Sequence, residues 1–234
     1  MIQRLLIFLT LLLTAAIFAQ LALNYTEHSQ LSKLATHYAG QGPAELGAPN
    51  LVTAVVVTYR GLDTLGEVTV LFISAAGVGL MLRRRQQVSV EEEEEDKKPA
   101  SEIVVTAAQL LLPMVFLFGV YVFVNGHLSP GGGFQGGAII AAGSLLLLLA
   151  LPGAELRQRL IAVTESLSGF SYVVVGLLGV ILAGGFLDNR IMSLGTYGTL
   201  FSAGAIPIIY TLVGLKVGAE LSAVLGRFRD TGDQ

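Results

Sequence analysis

Along the chain, long aliphatic runs alternate with short polar or glycine-rich interruptions, and the runs have the length a bilayer requires. About 20 apolar residues carry a helix across a hydrocarbon core roughly 30 Å thick. Such runs extend from about Leu5 to Leu23, Thr64 to Leu82, Ile103 to Val124, Gln135 to Leu151, Ser171 to Leu187 and Leu200 to Leu221, the fourth being short. Six crossings are expected. The first run follows Arg4 in the manner of a signal peptide. It lacks a small-x-small cleavage site and further runs follow, so it is read as a retained helix. Tyr25 to Pro49 is polar, with Gly40, Gly42, Pro43, Gly47 and Pro49, and is read as an exposed loop. Asn50 to Leu82 is too long for one straight crossing and too short for two. The pattern predicts a short re-entrant or interfacial helix from Asn50 to Tyr59, a break at Arg60-Gly61, and one crossing that ends at Arg83-Arg84-Arg85.

Composition supports this reading. Hydrophobic residues make up 53% of the 234 and charged residues 13%, and the mean hydropathy is +0.70, more apolar than one soluble core needs. Cysteine is absent, which excludes thiolate catalysis, Fe–S clusters and cysteine-ligated zinc. His28, His37 and His127 have no metal-ligand spacing, so neither metal nor cofactor is expected. Lysine and arginine mark cytoplasmic loops. With the amino terminus inside, Arg4, Arg83 to Arg85, Lys97, Lys98, Arg157, Arg159, Arg227 and Arg229 all fall on the inner side, against Lys33, Arg190 and Arg60 outside. The expected fold is an all-α integral membrane protein of about six transmembrane helices plus the re-entrant or interfacial helix, with both termini cytoplasmic. Its acidic run, Glu91 to Asp96, is read as a solvated spacer. The expected division is a two-span module (1–85), an acidic cytoplasmic linker (86–101), a four-span domain (102–227) and a short cytoplasmic tail (228–234).

Ionisable groups at membrane depth are costly and mark function. Asp63 and Glu67 are four apart, on one face near the outer end of the second span. Asp63 can cap the helix start and pair with Arg60. Glu67 is followed by fifteen uncharged residues before Arg83, so it needs a partner or a water-filled path. In the last span, Lys216 and Glu220 are again four apart: either a local pair, or a lysine that lends positive charge to an ion path. Gly214 and Gly218 have GxxxG spacing, and Gly132, Gly133, Gly136 and Gly137 form small-xxx-small pairs; both sets predict close helix packing. Gly131 to Gly136 formally fits GxGxxG. Following a membrane span rather than a strand, with no P-loop lysine, it carries no nucleotide-site prediction.

Four signatures, in order, carry a resemblance. Asn125-Gly126-His127-Leu-Ser-Pro130-Gly131-Gly132-Gly133-Phe-Gln-Gly136-Gly137, then Phe186-Leu-Asp-Asn, Ser202-Ala-Gly-Ala-Ile-Pro and Gly214-Leu-Lys-Val-Gly218 make the chain from Ile103 onward resemble the B subunit of Mrp-type multisubunit Na+/H+ antiporters (MnhB-like). Asn50 to Leu82, with Arg60-Gly-Leu-Asp63-Thr-Leu-Gly-Glu67, is similar to the carboxy-terminal part of the antiporter A subunit and to the E subunit of membrane-bound hydrogenases. The resemblance implies a non-catalytic, multi-pass component of the cell (inner, cytoplasmic) membrane. It also implies a complex with other antiporter-like subunits, with Na+ and H+ as transported ions and no nucleic-acid partner. Within that family the Arg60-Gly-Leu-Asp63-Thr-Leu-Gly-Glu67 module lies beside the ion-translocating subunits, and the resemblance therefore implies a sodium or proton path at Glu67. Glu220 departs from the small residue expected there, which favours a local pair with Lys216. The alternative is the membrane arm of a redox complex whose centres sit in other subunits.

Overall fold

The computed structural model describes residues 2–25, 30–86, 101–151 and 153–232. Helix and turn account for all the regular structure among them: α1 (Ile2–Leu23), α2 (Lys33–Leu46), α3 (Leu51–Thr53) running into a π-helical segment (Ala54–Tyr59), α4 (Gly61–Gln86), α5 (Glu102–Val124), α6 (Gly133–Ala150), α7 (Gln158–Leu182), a 3₁₀ turn (Asn189–Ile191) and α8 (Ile206–Gly232). Six of these helices are long and apolar enough to cross a membrane: α1, α4, α5, α6, α7 and α8. The acidic run Glu91 to Asp96 lies outside the described residues.

Residues 1–37 and 38–234 form two compact units. In the first, α1 is predominantly apolar, and its two threonine hydroxyls are satisfied inside the helix. Thr10 Oγ1 donates to the Leu6 carbonyl at 2.9 Å and Thr14 Oγ1 to the Thr10 carbonyl at 2.8 Å, as membrane-embedded threonines require.

The second unit is built around α8, the most buried of the six crossings, which packs against α4, α5, α6 and α7. Ile206, Ile209, Val213 and Val217 lie at its core-facing side and are almost fully buried. Close approach to α6 depends on glycines. A Cβ on Gly137 would stand 2.8 Å from the Gly214 carbonyl oxygen and 2.9 Å from the Gly218 amide nitrogen. One on Gly214 would stand 2.4 Å from the Phe123 ring of α5. Lipid supplies no hydrophobic drive for helix association, so contact at this range, with its dispersion energy, is what holds such a bundle together.

Two expectations are corrected. Tyr25 to Pro49 is not all loop, because Lys33–Leu46 is helical with Pro43 inside it. Ser32 caps this helix, its Oγ accepting from the Ala35 amide at 3.2 Å, and the buried Leu46 and Ala48 pin the far end to the core; burial outweighs the breaker residues. The fifth and sixth spans are also shifted. The fifth crossing is Gln158–Leu182, and the sixth begins at Ile206. Residues 183–205 instead form an irregular connection that turns at Gly184 (φ +90°) and Gly204 (φ +56°). A Cβ at Gly204 would collide with the Asn189 carbonyl oxygen at 2.2 Å, so glycine is required there.

Within the second unit the connections gather at two ends. At one, hereafter the loop end, the 125–132 and 183–205 connections meet the segment around Asn50. At the other, the arginine end, Arg229 Nη1 donates to the Ala154 carbonyl and Arg227 Nη1 to the Ala75 carbonyl.

Candidate functional site

The break at Arg60 sets the position of the acidic pair. Residues 51–59 run as a short α-turn into a π-helix, and Arg60 (φ −121°, ψ 36°) ends it before α4 begins at Gly61. Single π-turns of this kind are frequent at functional sites because they displace backbone groups from the regular ladder. Here Thr64 Oγ1 donates to the Val56 carbonyl at 2.5 Å, tying α4 back onto the π-segment. Gly61 fits against Leu187, where a Cβ would meet the side chain at 3.0 Å. The buried side of α4 is thereby fixed as Gly61, Thr64 and Val68.

Asp63 forms an exposed ion pair with Arg60. Glu67, one turn deeper, points away from the core and is exposed on the surface of the chain. Among the described residues no cation pairs with it. At about 9 Å along the helix from Gly61, counting ~1.5 Å per residue, it stands within the crossing. An ionised carboxylate facing hydrocarbon is costly, on the order of 2.5–3.5 kcal/mol at the centre of a span, so a partner chain or water is needed to cover that face. Its charge acts on the hydroxyls of Tyr172 on α7 and Tyr210 on α8. The Tyr172 hydroxyl is buried with no hydrogen bond among the described residues.

The glycine-rich connection, by contrast, is a docking element. Asn50 Nδ2 donates to the carbonyls of Gly126 at 2.8 Å and Ser129 at 2.9 Å, while its backbone N–H donates to the His127 carbonyl at 3.0 Å. Its Oδ1 caps α3, accepting from the Val52 and Thr53 amides. Thr53 Oγ1 donates to the Gly126 carbonyl at 2.6 Å and accepts from the Tyr210 hydroxyl at 3.0 Å. Gly126 is closed in by the Tyr210 ring, 2.6 Å from where a Cβ would stand, and Gly131 (φ +150°) turns the chain into α6. Gly132 is the N-cap, Gly133 packs on Val213 and Gly136 on the Gly119 carbonyl, while Pro130 is exposed. His127 is fully buried, with Nε2 3.3 Å from the Thr199 carbonyl oxygen. Burial holds its pKa below the ordinary 6.5. The neutral ring is thus the native form, and the stability tied to it is present above the ordinary value and lost as pH falls below it.

A second cluster at this end was not foreseen. Asn189 Nδ2 donates to the carbonyls of Leu46 and Ala203, each at 2.8 Å. Asp188 pairs with Arg190 and caps the 3₁₀ turn, and the guanidinium keeps its carboxyl below the usual range. Tyr59 donates to Glu45 and stacks on Tyr38 with ring centroids 4.6 Å apart. Burial, with the neighbouring carboxylate, pushes the Tyr59 hydroxyl up to about 12.

Lys216 and Glu220 form an ion pair at 2.5 Å, with side-chain exposures of 11% and 0%. The Lys216 Nζ also lies over the Phe72 ring of α4, 5.0 Å from its centroid. The structure places this pair across from α4 and α7, not beside the glycine loop.

The family description "Domain related to MnhB subunit of Na+/H+ antiporter" matches residues 103–223. The chain belongs to this MnhB-related family. Preceding that region, residues 3–97 match the MbhE family, the E subunit of MBH. A curated, uncharacterised protein of Methanocaldococcus jannaschii is 30% identical over 197 residues, covering 74% of each chain. The B subunit of the Na+/H+ antiporter of Bacillus subtilis is 39% identical over 79 residues, covering 33% of this chain and 51% of its own. Among solved structures, a chain of the membrane-bound sulfane sulfur reductase, an archaeal respiratory membrane complex, aligns with a TM-score of 0.79 and 43% identity over 97% of this chain and 98% of its own. A chain of the Mrp complex from Dietzia sp. DQ12-45-1b aligns with a TM-score of 0.77 and 26% identity over 96% of this chain and 26% of its own. This MnhB-related chain is therefore a multi-pass membrane protein whose E-like and B-like regions lie in one polypeptide.

Proposed function

We propose that the chain is a membrane subunit of a multisubunit cation/proton antiporter of the Na+/H+ type, contributing to the ion path and to assembly, with no catalysis of its own. The observation that carries this reading is Glu67, a carboxylate within the crossing that is exposed and has no ion pair among the described residues. Placing it there is unfavourable unless an ion, water or a partner's polar group meets it. Its neighbours in the motif, Arg60 and Asp63, neutralise each other and leave Glu67 as the group able to exchange a proton or a cation. The arginines gathered near the far end favour a cytoplasmic placement of that end and of both termini, in the cell membrane. The division at residues 85, 101 and 227 follows the same reading. The docking of Asn50 and Thr53 onto the 126–129 loop supports a role for the B-like region as the scaffold that holds the E-like region in place.

A second reading is favoured by one specific finding. The alignment to a chain of the sulfane sulfur reductase runs end to end, whereas the Mrp chain is much longer than this one. The chain then belongs to the antiporter-like membrane arm of a respiratory complex whose redox centres lie in other chains. Purifying the native complex in mild detergent and identifying its components separates the two. Antiporter subunits alone are expected; co-migrating proteins with Fe–S or other redox centres move the chain to the second reading.

A further inference from the structure

We propose that Lys216, Glu220 and Glu165 form a proton-carrying station inside the membrane, which continues the path from Glu67 toward the arginine end. The proposal rests on the reading of Glu67 given above.

Four observations converge on it. Glu220 is 1% exposed, with Oε1 paired to Lys216 and Oε2 buried without a hydrogen-bond partner among the described residues. A structural ion pair saturates its acceptors; a carboxylate that leaves one oxygen open in a dry interior holds a position for a proton or for water. Glu165 on α7 is half-buried, has no ion pair among the described residues, and acts electrostatically on Glu220. Glu220 thus has one paired cation, Lys216, and a second carboxylate, Glu165, whose charge reaches it, so the set carries one negative charge more than the lysine neutralises unless a proton is held. The groove is also built for Lys216. Gly169 gives up its Cβ to the lysine stem, 3.3 Å from where one would stand, and the Phe72 ring faces the ammonium.

The groups stand in sequence across the membrane. Tyr172 lies one turn along α7 from Gly169, and its buried hydroxyl feels the charge of Glu67. Lys216 is about 15 Å into α8 at ~1.5 Å per residue from Ile206, and Glu220 is about 6 Å further on. Glu165 lies seven residues into α7, between Glu220 and the arginine end. A cleft of about 370 Å³ borders Thr164, Ala219 and Ser222, the neighbours of Glu165 and Glu220, and is edged by Glu155 and Arg157. Its walls are mostly aliphatic and aromatic side chains, so it is a groove beside the station and not itself a water path. The titratable or charged groups facing this line from its packed elements are Glu67 of α4, Glu165 and Tyr172 of α7, and Tyr210 and Arg227 of α8 itself; α6 contributes only the Ser144 hydroxyl, bonded to Ser222 at 2.9 Å.

Loading breaks an O–H bond of the protonated Glu67 carboxyl or of a hydronium ion and forms one at Glu220 Oε2, which converts that carboxylate to a carboxylic acid and leaves the Glu67 carboxylate or water behind. Release breaks that bond and forms one on the Glu165 carboxylate, which passes the proton to water at the arginine end. Lys216 remains an ammonium ion throughout, and no electrons are transferred.

The test is proton flux through the purified native complex in liposomes with an entrapped pH dye. Glu220→Gln keeps the shape and the lysine contact but cannot carry the proton, and is expected to slow flux about a hundredfold, the scale on which a positioned proton-transfer group acts. The double variant Lys216→Met/Glu220→Leu replaces the pair by apolar side chains, a change buried pairs often tolerate, and is expected to assemble without transporting. Glu165→Gln, at a half-buried position, is expected to slow flux without affecting assembly. Wild-type flux in either the assembled double variant or Glu165→Gln overturns the station. Glu67→Gln run in parallel keeps the two ideas apart: an inactive Glu67→Gln beside an active Glu220→Gln removes the station and leaves Glu67 in place, whereas the reverse removes Glu67 as its entry.

Discussion

Glu67→Gln is expected to abolish cation-coupled proton movement in the reconstituted complex while leaving the complex assembled. Glutamine has the same shape and can make neutral hydrogen bonds, but it neither binds a proton at working pH nor offers a cation a full negative charge. Position 67 is exposed on the chain, so the change disturbs no internal packing. Removing a carboxylate from membrane depth lowers the cost of insertion wherever lipid faces it. Loss of assembly is therefore not expected, and function and stability separate cleanly. Asp63→Asn provides the contrast. Asp63 is exposed and paired with Arg60, and an exposed pair of this kind is worth at most about 1 kcal/mol; a partial reduction is expected. The check is the rate of pH change across the vesicle for each variant, normalised to assembled complex.

Gly137→Val is expected to have the largest effect on stability. Its first side-chain carbon would enter the space of the Gly214 carbonyl oxygen at 2.8 Å and the Val217 Cβ at 2.8 Å. Backbone cannot yield as a flexible side chain can, so α6 and α8 must separate. Overpacking a tight core costs about 1–3 kcal/mol, and in a bilayer the displaced contacts are not replaced by a hydrophobic gain. The complex is expected to unfold at a lower temperature in detergent and to accumulate poorly in the membrane. Gly77→Ala is the control, because nothing lies within 4 Å of its added carbon, and it is expected to leave the unfolding temperature unchanged.

The six crossings were legible because each is an aliphatic run of bilayer length, a signal that needs no knowledge of neighbours. Their ends were less so. Ser171 and Leu200 were natural places to start a span on hydropathy, yet α7 begins thirteen residues earlier with Glu165 inside it, and Leu200 and Phe201 belong to a glycine-shaped connection. Tertiary packing, not local apolarity, decided both. The Lys216–Glu220 pair could be read from i,i+4 spacing alone, and the Arg60–Asp63 pair from its place at the helix start. The network that binds Asn50 to Gly126 and Ser129 joins residues 76 and 79 apart, and no local pattern announces it. The helix Lys33–Leu46 was hidden by Gly40, Gly42 and Pro43, whose breaker chemistry is outweighed by the burial of Leu46 and its neighbour Ala48. Tyr172 and Glu165 looked like any aromatic or end-of-span charge. Only the fold brings Tyr172 within reach of the Glu67 charge and Glu165 within reach of Glu220.

The loop end and the buried line together divide the labour. Polar contacts around Asn50, Thr53, Asn189 and Tyr210 fix how the E-like segment sits on the B-like bundle. With that register fixed, α4 presents Glu67 outward and brings the Phe72 ring to 5.0 Å from the Lys216 ammonium, so one docking geometry positions both the exposed carboxylate and the buried pair.

The most direct test of the account is to impose a sodium gradient on liposomes holding the purified wild-type complex and follow internal pH, first without and then with an electron donor. The account predicts proton movement opposite to the sodium gradient, dependent on Glu67, under at least the first condition. No sodium-dependent proton movement under either condition, from a complex shown to be intact, would contradict it.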